Sequence, residues 1–346
     1  MELYKKHLIL KLLHKTGFLR FLIFSQRNKV TILMLHGVID PTAPAAWKPL
    51  RTQITTDQLF QTLAVLSRYY NFISLPEATE MLAGTRPLVA NGLAFTFDDG
   101  YRNSLKIALP ILRRFNAPAT IFLSTGNVTD QKPFWFDRLD YAVQLMNNDT
   151  VSRYRIPELT EIDFSTRETL VHSFITFIRK EKKRYTTNTA MRSAMAELTE
   201  RMEQCSGHGL NDIFADDPSS GVLNWNEVKR ASTEIHFGSH SVDHSLLGLI
   251  SPHMAKQELI ASREEIEFHT GRSCTHLAYP DGSFNDTVLS LVRTCGYFSA
   301  VTDLFGLNRK GDEMLTLRRI SIPNANSPAG IITAALGVSS LWHKIS

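Results

Sequence analysis

Cysteine is scarce in this chain: Cys205, Cys274 and Cys295 are the only three in 346 residues. They are too few and too scattered for a disulfide framework or a Cys-rich zinc module. As buried or half-buried thiols in odd number, they lean towards a reducing compartment. Glycine (18) and proline (14) are not in excess, which removes collagen-like and low-complexity classes. Acidic residues are nearly missing from one end. Residues 1–39 carry seven Lys/Arg against Glu2 alone, a net of +6 that leaves −2 for the other 307. The body therefore has no basic excess of the kind a nucleic-acid partner would require. Long apolar runs are missing too. Lys11, Lys15 and Arg20 interrupt every candidate near the start, so neither a cleavable signal peptide nor a spanning helix is expected there.

What that segment does contain is a basic, aromatic-bearing amphipathic pattern over residues 1–28. Two readings stay open for this N-terminal arm: contact with an anionic membrane surface, or packing on the body with its lysines in water. The expected location is cytoplasmic, with the inner face of the membrane as the site of any such contact.

With 43% hydrophobic and 21% charged residues, the chain can fill a sizeable core. From residue 29 onward, short β-branched or aromatic runs alternate with helical patterns, the rhythm of βα units. Strands are expected at 30–36, 72–75, 93–98, 119–124, 234–239, 275–279, 298–302 and 317–322. Seven or eight strands in this length point to an α/β fold, a distorted (β/α)7-8 barrel with a helical insertion between the fourth and fifth strands. The barrel domain is expected over 29–325, with the insertion at 129–222 and a C-terminal tail at 326–346. A structureless loop of the insertion's length would be out of place in a compact domain, so it is read as helices on the catalytic face.

Four elements carry chemistry. Thr96-Phe97-Asp98-Asp99-Gly100 places adjacent carboxylates where a buried strand runs out, the rim on which barrel active sites sit. Neighbouring strand residues point to opposite faces, so both reach one site only if the strand ends there. One carboxylate could then bind a metal while the other acts as a base; a turn with a helix cap is the structural alternative. His240-Ser241-Val242-Asp243-His244 follows another strand, and two imidazoles four apart with a carboxylate suit Zn²⁺ or another divalent ion. Leu277-Ala278-Tyr279-Pro280-Asp281-Gly282 is again strand then tight turn. Leu33-Met34-Leu35-His36-Gly37 ends an apolar strand on one histidine, by itself more typical of a core residue than of a catalyst. Phe134, Trp135 and Phe136 could stack on a pyranose ring or anchor the insertion.

Taken together, these elements resemble the polysaccharide deacetylase family (carbohydrate esterase family 4, the NodB-homology domain). The resemblance covers about 30–323. Thr96-Phe97-Asp98-Asp99-Gly100 matches its first motif and His240-Ser241-Val242-Asp243-His244 its second, about 140 residues further on. It implies Asp98 as general base, with Asp99, His240 and His244 as ligands of a divalent metal ion, most simply Zn²⁺. Ala278-Tyr279-Pro280-Asp281 aligns with the third motif, but Ala278 replaces an arginine that orients the base. Arg318 or Arg319 on the last strand could take over that task. The Asp281 amide would be the oxyanion donor, and Tyr279 falls within the same motif. The family's late histidine motif has no counterpart, since only His343 follows the last strand. His36 instead resembles the early histidine of the circularly permuted exopolysaccharide deacetylases, which makes it the candidate general acid.

The implied activity is metal-dependent removal of N-acetyl groups from amino sugars of a cell-surface polysaccharide or its lipid-linked precursor. An N-acetylated glycan is the expected partner. Alternatives are deformylation or deacylation of a lipid-linked amino sugar, and a catalytically silent glycan-binding domain of the same fold.

Overall fold

The computed structural model describes residues 18–45, 47–51, 53–322 and 327–338. Seven parallel strands form its centre: β1 (Lys29–Leu35), β2 (Gly92–Phe97), β3 (Ala119–Leu123), β4 (His236–Ser239), β5 (His276–Ala278), β6 (Ser299–Phe305) and β7 (Leu317–Ser321). They lie side by side in chain order, and β1 closes the ring by pairing with both β2 and β7. Every residue of β2 and β3 is buried, as expected of strands covered on both faces. Alternate residues fall into two cores. Val30, Ile32, Ala94, Phe122, Ala278, Val301 and Leu317 share one, inside the ring. Leu33, Leu35, Phe95, Phe97, Ile121 and Leu123 share the other with the surrounding helices.

Residues 72–75, expected as a strand, are not part of the ring. Only Asn71–Phe72 pairs, at the edge of β2. Ser74 then caps a helix through a reciprocal capping box with Glu77. The insertion therefore falls between the third and fourth strands of the ring, β3 and β4.

Around the barrel lie helices α1 (Phe18–Ser25), α2 (Thr56–Leu66) and α3 (Leu75–Ala83). The insertion contributes α4 (Trp135–Gln144), α5 (Arg167–Arg184) and α6 (Asn188–Ser206), followed by α7 (Pro252–Thr270), α8 (Asp286–Thr294) and α9 (Pro328–Ala335). The insertion has a core of its own, built from residues such as Leu139, Val143, Phe174, Phe177, Met195 and Met202.

Part of the segment read as a tail is helical: α9 packs its Ala329, Ile332 and Leu336 against Leu19 and Ile23 of α1. For residues 18–25 the arm thus packs on the body. Its first 17 residues, and 339–346 with His343, lie outside the described residues. No helix among the described residues is long and apolar enough to cross a membrane.

Candidate active site

Strand β2 stops at Phe97, and the chain leaves it sharply. Asp99 has φ 75 and Gly100 φ 83, so the left-handed turn frees both carboxylates from strand alternation. Asp98 and Asp99 are both buried. Asp98 accepts two hydrogen bonds from Arg319, Nη1 and Nη2 each at 2.7 Å. Arg319 is itself buried and fixed by Thr302 O at 3.0 Å, Thr96 Oγ1 at 3.3 Å and Asp303 at 3.2 Å. Burial alone would raise the Asp98 carboxyl, but the Arg319 guanidinium, with His240 beyond it, holds it below its ordinary value. A carboxylate has about four lone-pair sites, so Asp98 keeps acceptor capacity beyond this pair.

Ala278, where the family motif carries arginine, faces the barrel interior beside Phe122 and Val301. The cation comes from β7 instead. Of the two candidates there, Arg319 points inward, whereas Arg318 is half exposed and faces Asp312 at 3.8 Å. Strand alternation makes them mutually exclusive.

Asp99 meets two imidazoles. Its Oδ1 lies 3.5 Å from His240 Nε2 and 3.4 Å from His244 Nε2, and these ligand-type atoms all fall within 4.8 Å of one another. His240 Nδ1 lies 2.8 Å from Ala278 O, a carbonyl that can only accept, so Nδ1 carries the proton and Nε2 presents its lone pair. Asp99 Oδ1 is buried without a hydrogen bond. An orphaned carboxylate oxygen facing two imidazole nitrogens fits a divalent cation, with His and carboxylate donors of the type zinc accepts. Burial opposes its charge, but His240 and His244 in their protonated form hold the Asp99 carboxyl well below its usual range. Ser241 (φ 63) and His244 (φ 50) also take left-handed backbone, a cost that the surrounding contacts must offset. Glu258 on α7 does much of this, accepting from the Val242 amide (2.7 Å), the Asp243 amide (3.1 Å) and Ser245 Oγ (2.8 Å). On the other flank the chain comes so close at Gly126 that a Cβ there would lie 2.8 Å from Asp243.

A cavity of about 300 Å³ opens over this cluster, and Asp99, His244, His36 and Asp281 line it. His36 follows β1 directly and is half-buried on that wall. Asp281 (φ 49) sits on the turn after β5, and its side chain pairs with Lys182 Nζ at 2.6 Å. Tyr279 does not reach the cavity: it is buried in the outer core and donates to Leu315 O at 3.0 Å. Trp135 is turned towards the insertion core, and it is Phe136, the next residue round α4, that lines the cavity, 5.4 Å from the His244 ring. Phe134, just before α4, is buried with its ring stacked on Phe136 at 5.0 Å, so of the three aromatics Phe136 alone faces the cavity.

The insertion supplies the remaining wall. Phe174, Ile175, Ile178, Arg179 and Lys182 present one face of α5 to the cavity. Asp137 and Asp140 enter from α4. Asp137 pairs with Arg51 and accepts from Tyr101 Oη at 2.7 Å. Asp140 accepts from the Leu50 amide at 2.7 Å, and burial pushes its carboxyl up to about 6. Sequence reasoning did not find these residues or Glu258. On amphipathic helices without a motif, they read as ordinary surface or core positions.

Residues 86–300, more than half of the chain, match the family model for polysaccharide deacetylase. The chain belongs to that family. No curated protein matches it. Among solved structures, the Streptococcus pyogenes deacetylase PplD in complex with acetate is 19% identical, with TM-score 0.56 over 89% of this chain and 98% of that one. IcaB from Ammonifex degensii is 17% identical, with TM-score 0.57 over 89% and 97%. A de-N-acetylase from Aggregatibacter actinomycetemcomitans is 16% identical, with TM-score 0.51 over 84% and 94%. At these identities the likeness is one of fold, and it bears out the distorted barrel.

Proposed function

We propose that this polysaccharide deacetylase family member is a metal-dependent N-deacetylase of glycan amino sugars. The observation that carries the reading is the buried Asp99–His240–His244 triangle with Asp98 clamped beside it by Arg319. Asp99, His240 and His244 would hold a divalent ion, most simply Zn²⁺. Bound there, such an ion would supply Lewis-acid polarisation and a more acidic water.

The protein's own groups account for the protons. Asp98, kept ionised and oriented by Arg319, takes one from the water that attacks the acetyl carbon. The Asp281 amide stabilises the oxyanion that forms. As the C–N bond breaks, protonated His36 gives its proton to the departing sugar nitrogen. One water and one N-acetyl group become acetate and a free amino sugar. Phe136 and the α5 face form the wall against which the sugar would rest.

The test is acetate release from defined N-acetylglucosamine oligomers by the purified chain, before and after chelation, and after adding back Zn²⁺. The reading requires turnover that the chelator abolishes and the metal restores. Turnover indifferent to the chelator would remove the metal from the account. Release of formate from N-formyl sugars with none of acetate would replace the acyl group.

A further inference from the structure

Helix α1 is divided between two environments. Leu19 and Ile23 are buried, and with Leu22 they pack on α9 and on Val65 and Tyr69. Phe18, Phe21 and Phe24 recur every three residues and stay 44%, 63% and 60% exposed. Single exposed phenylalanines are ordinary, but three within seven residues of one helix make a patch.

The charge along this segment has one sign. Arg20 on α1 and Arg27 and Lys29 just after it are all exposed, and the Arg27 guanidinium lies 4.0 Å over the Phe24 ring. No Asp or Glu occurs between residues 3 and 39, although the rest of the chain is slightly acidic. Aromatic rings flanked by cations suit the boundary of an anionic bilayer, where rings enter the acyl edge while guanidinium and ammonium groups meet phosphates.

We propose that α1 docks the protein on an anionic lipid surface, with Phe18, Phe21 and Phe24 entering the interface and Arg20, Arg27 and Lys29 meeting the headgroups. This surface is distinct from the candidate active site. α1 ends just before β1 begins, whereas His36 follows the far end of that strand, seven residues or about 23 Å away. Docking by α1 leaves the catalytic rim open.

The test is co-sedimentation of the full-length chain with vesicles of phosphatidylcholine alone and of phosphatidylcholine mixed with phosphatidylglycerol. Binding is expected only to the mixed vesicles and should weaken as salt is raised. The double variant Phe21→Glu, Phe24→Glu should bind them at least about tenfold more weakly, with an unchanged melting temperature, because both side chains are exposed. Turnover of soluble glycan oligomers should be equal for the two proteins. That last arm rests on the deacetylase reading, while the binding arm does not. Failure of the wild type to bind mixed vesicles, or equal binding by the variant, would overturn the proposal. So would a solution dimer that the variant dissociates, since the patch would then face a second copy. Binding that appears only once residues 1–17 are removed would overturn it too, since the chain itself would then cover the patch.

Discussion

The barrel rim and the helical insertion contribute to one cavity in different ways. The rim supplies short polar side chains at strand ends, buried and locked by backbone turns: Asp98, Asp99, His240 and His244 are all nearly inaccessible. Apart from Asp137 and Asp140, the insertion supplies long or apolar side chains from helix faces, and it is held together by a core separate from that of the barrel. Reacting groups need positions fixed to fractions of an ångström, which strand ends over-determined by packing provide. A cavity wall tolerates exchange of helix-borne side chains. On the proposed function, chemistry belongs to the barrel and substrate fit to the insertion.

Substitutions that break the division most severely should lie on the rim. Asp99→Ala, His240→Ala and His244→Ala are each expected to lose bound metal and with it turnover, as measured by elemental analysis and acetate release. His36→Gln should keep the metal but slow turnover of N-acetyl sugars by about 10²–10⁴-fold, the usual contribution of a general acid. An activated aryl ester, whose leaving group needs no proton, should lose much less. Equal losses on both substrates would move the acid elsewhere.

On the insertion side the first effect is on stability. Asp140 is buried and its pKa is raised to about 6, so its contribution is favourable while it is protonated. That contribution fades as pH rises from the unfolded value near 4 through 6. Asp140→Asn removes this titration, so the stability of the variant relative to wild type should rise by roughly 3 kcal/mol between about pH 4 and pH 7, whatever its value at low pH. Urea unfolding of both proteins at several pH values measures it. Smallest of all should be Lys182→Ala and Phe136→Ala. Each is expected to raise KM by roughly two- to fivefold with kcat nearly unchanged, since a partly exposed pair or contact is worth about 1 kcal/mol or less. A collapse of kcat in either variant would place chemistry in the insertion and dissolve the contrast.

The same contrast explains what could be read from sequence. β2 is a nearly continuous apolar run and the strand before His240 a shorter, mixed one, but both end on polar motifs, so the ring and its rim were legible. Arg319 was legible only as one of two. Leu317 and Ile320 are both buried, one inside the ring and one outside, so the hydrophobic pattern could not tell which neighbouring arginine faces in. The strand expected at 72–75 yielded to Ser74 and Glu77, whose capping-box spacing was visible in the sequence and outweighed the apolar run. Lys182, Ile178 and Asp140 sit on helices whose cavity-facing side carries the same residue types as a core-facing side. Only the tertiary arrangement separates the two.

The central claim is that the two adjacent aspartates have different tasks, Asp99 holding a metal and Asp98 moving a proton. Metal content and turnover of Asp98→Asn, measured on one preparation with its fold checked by circular dichroism, test it most directly. The account predicts metal retained at the wild-type level and turnover reduced by at least about 100-fold. Metal lost as readily as in Asp99→Ala, or turnover that survives the substitution, would contradict it.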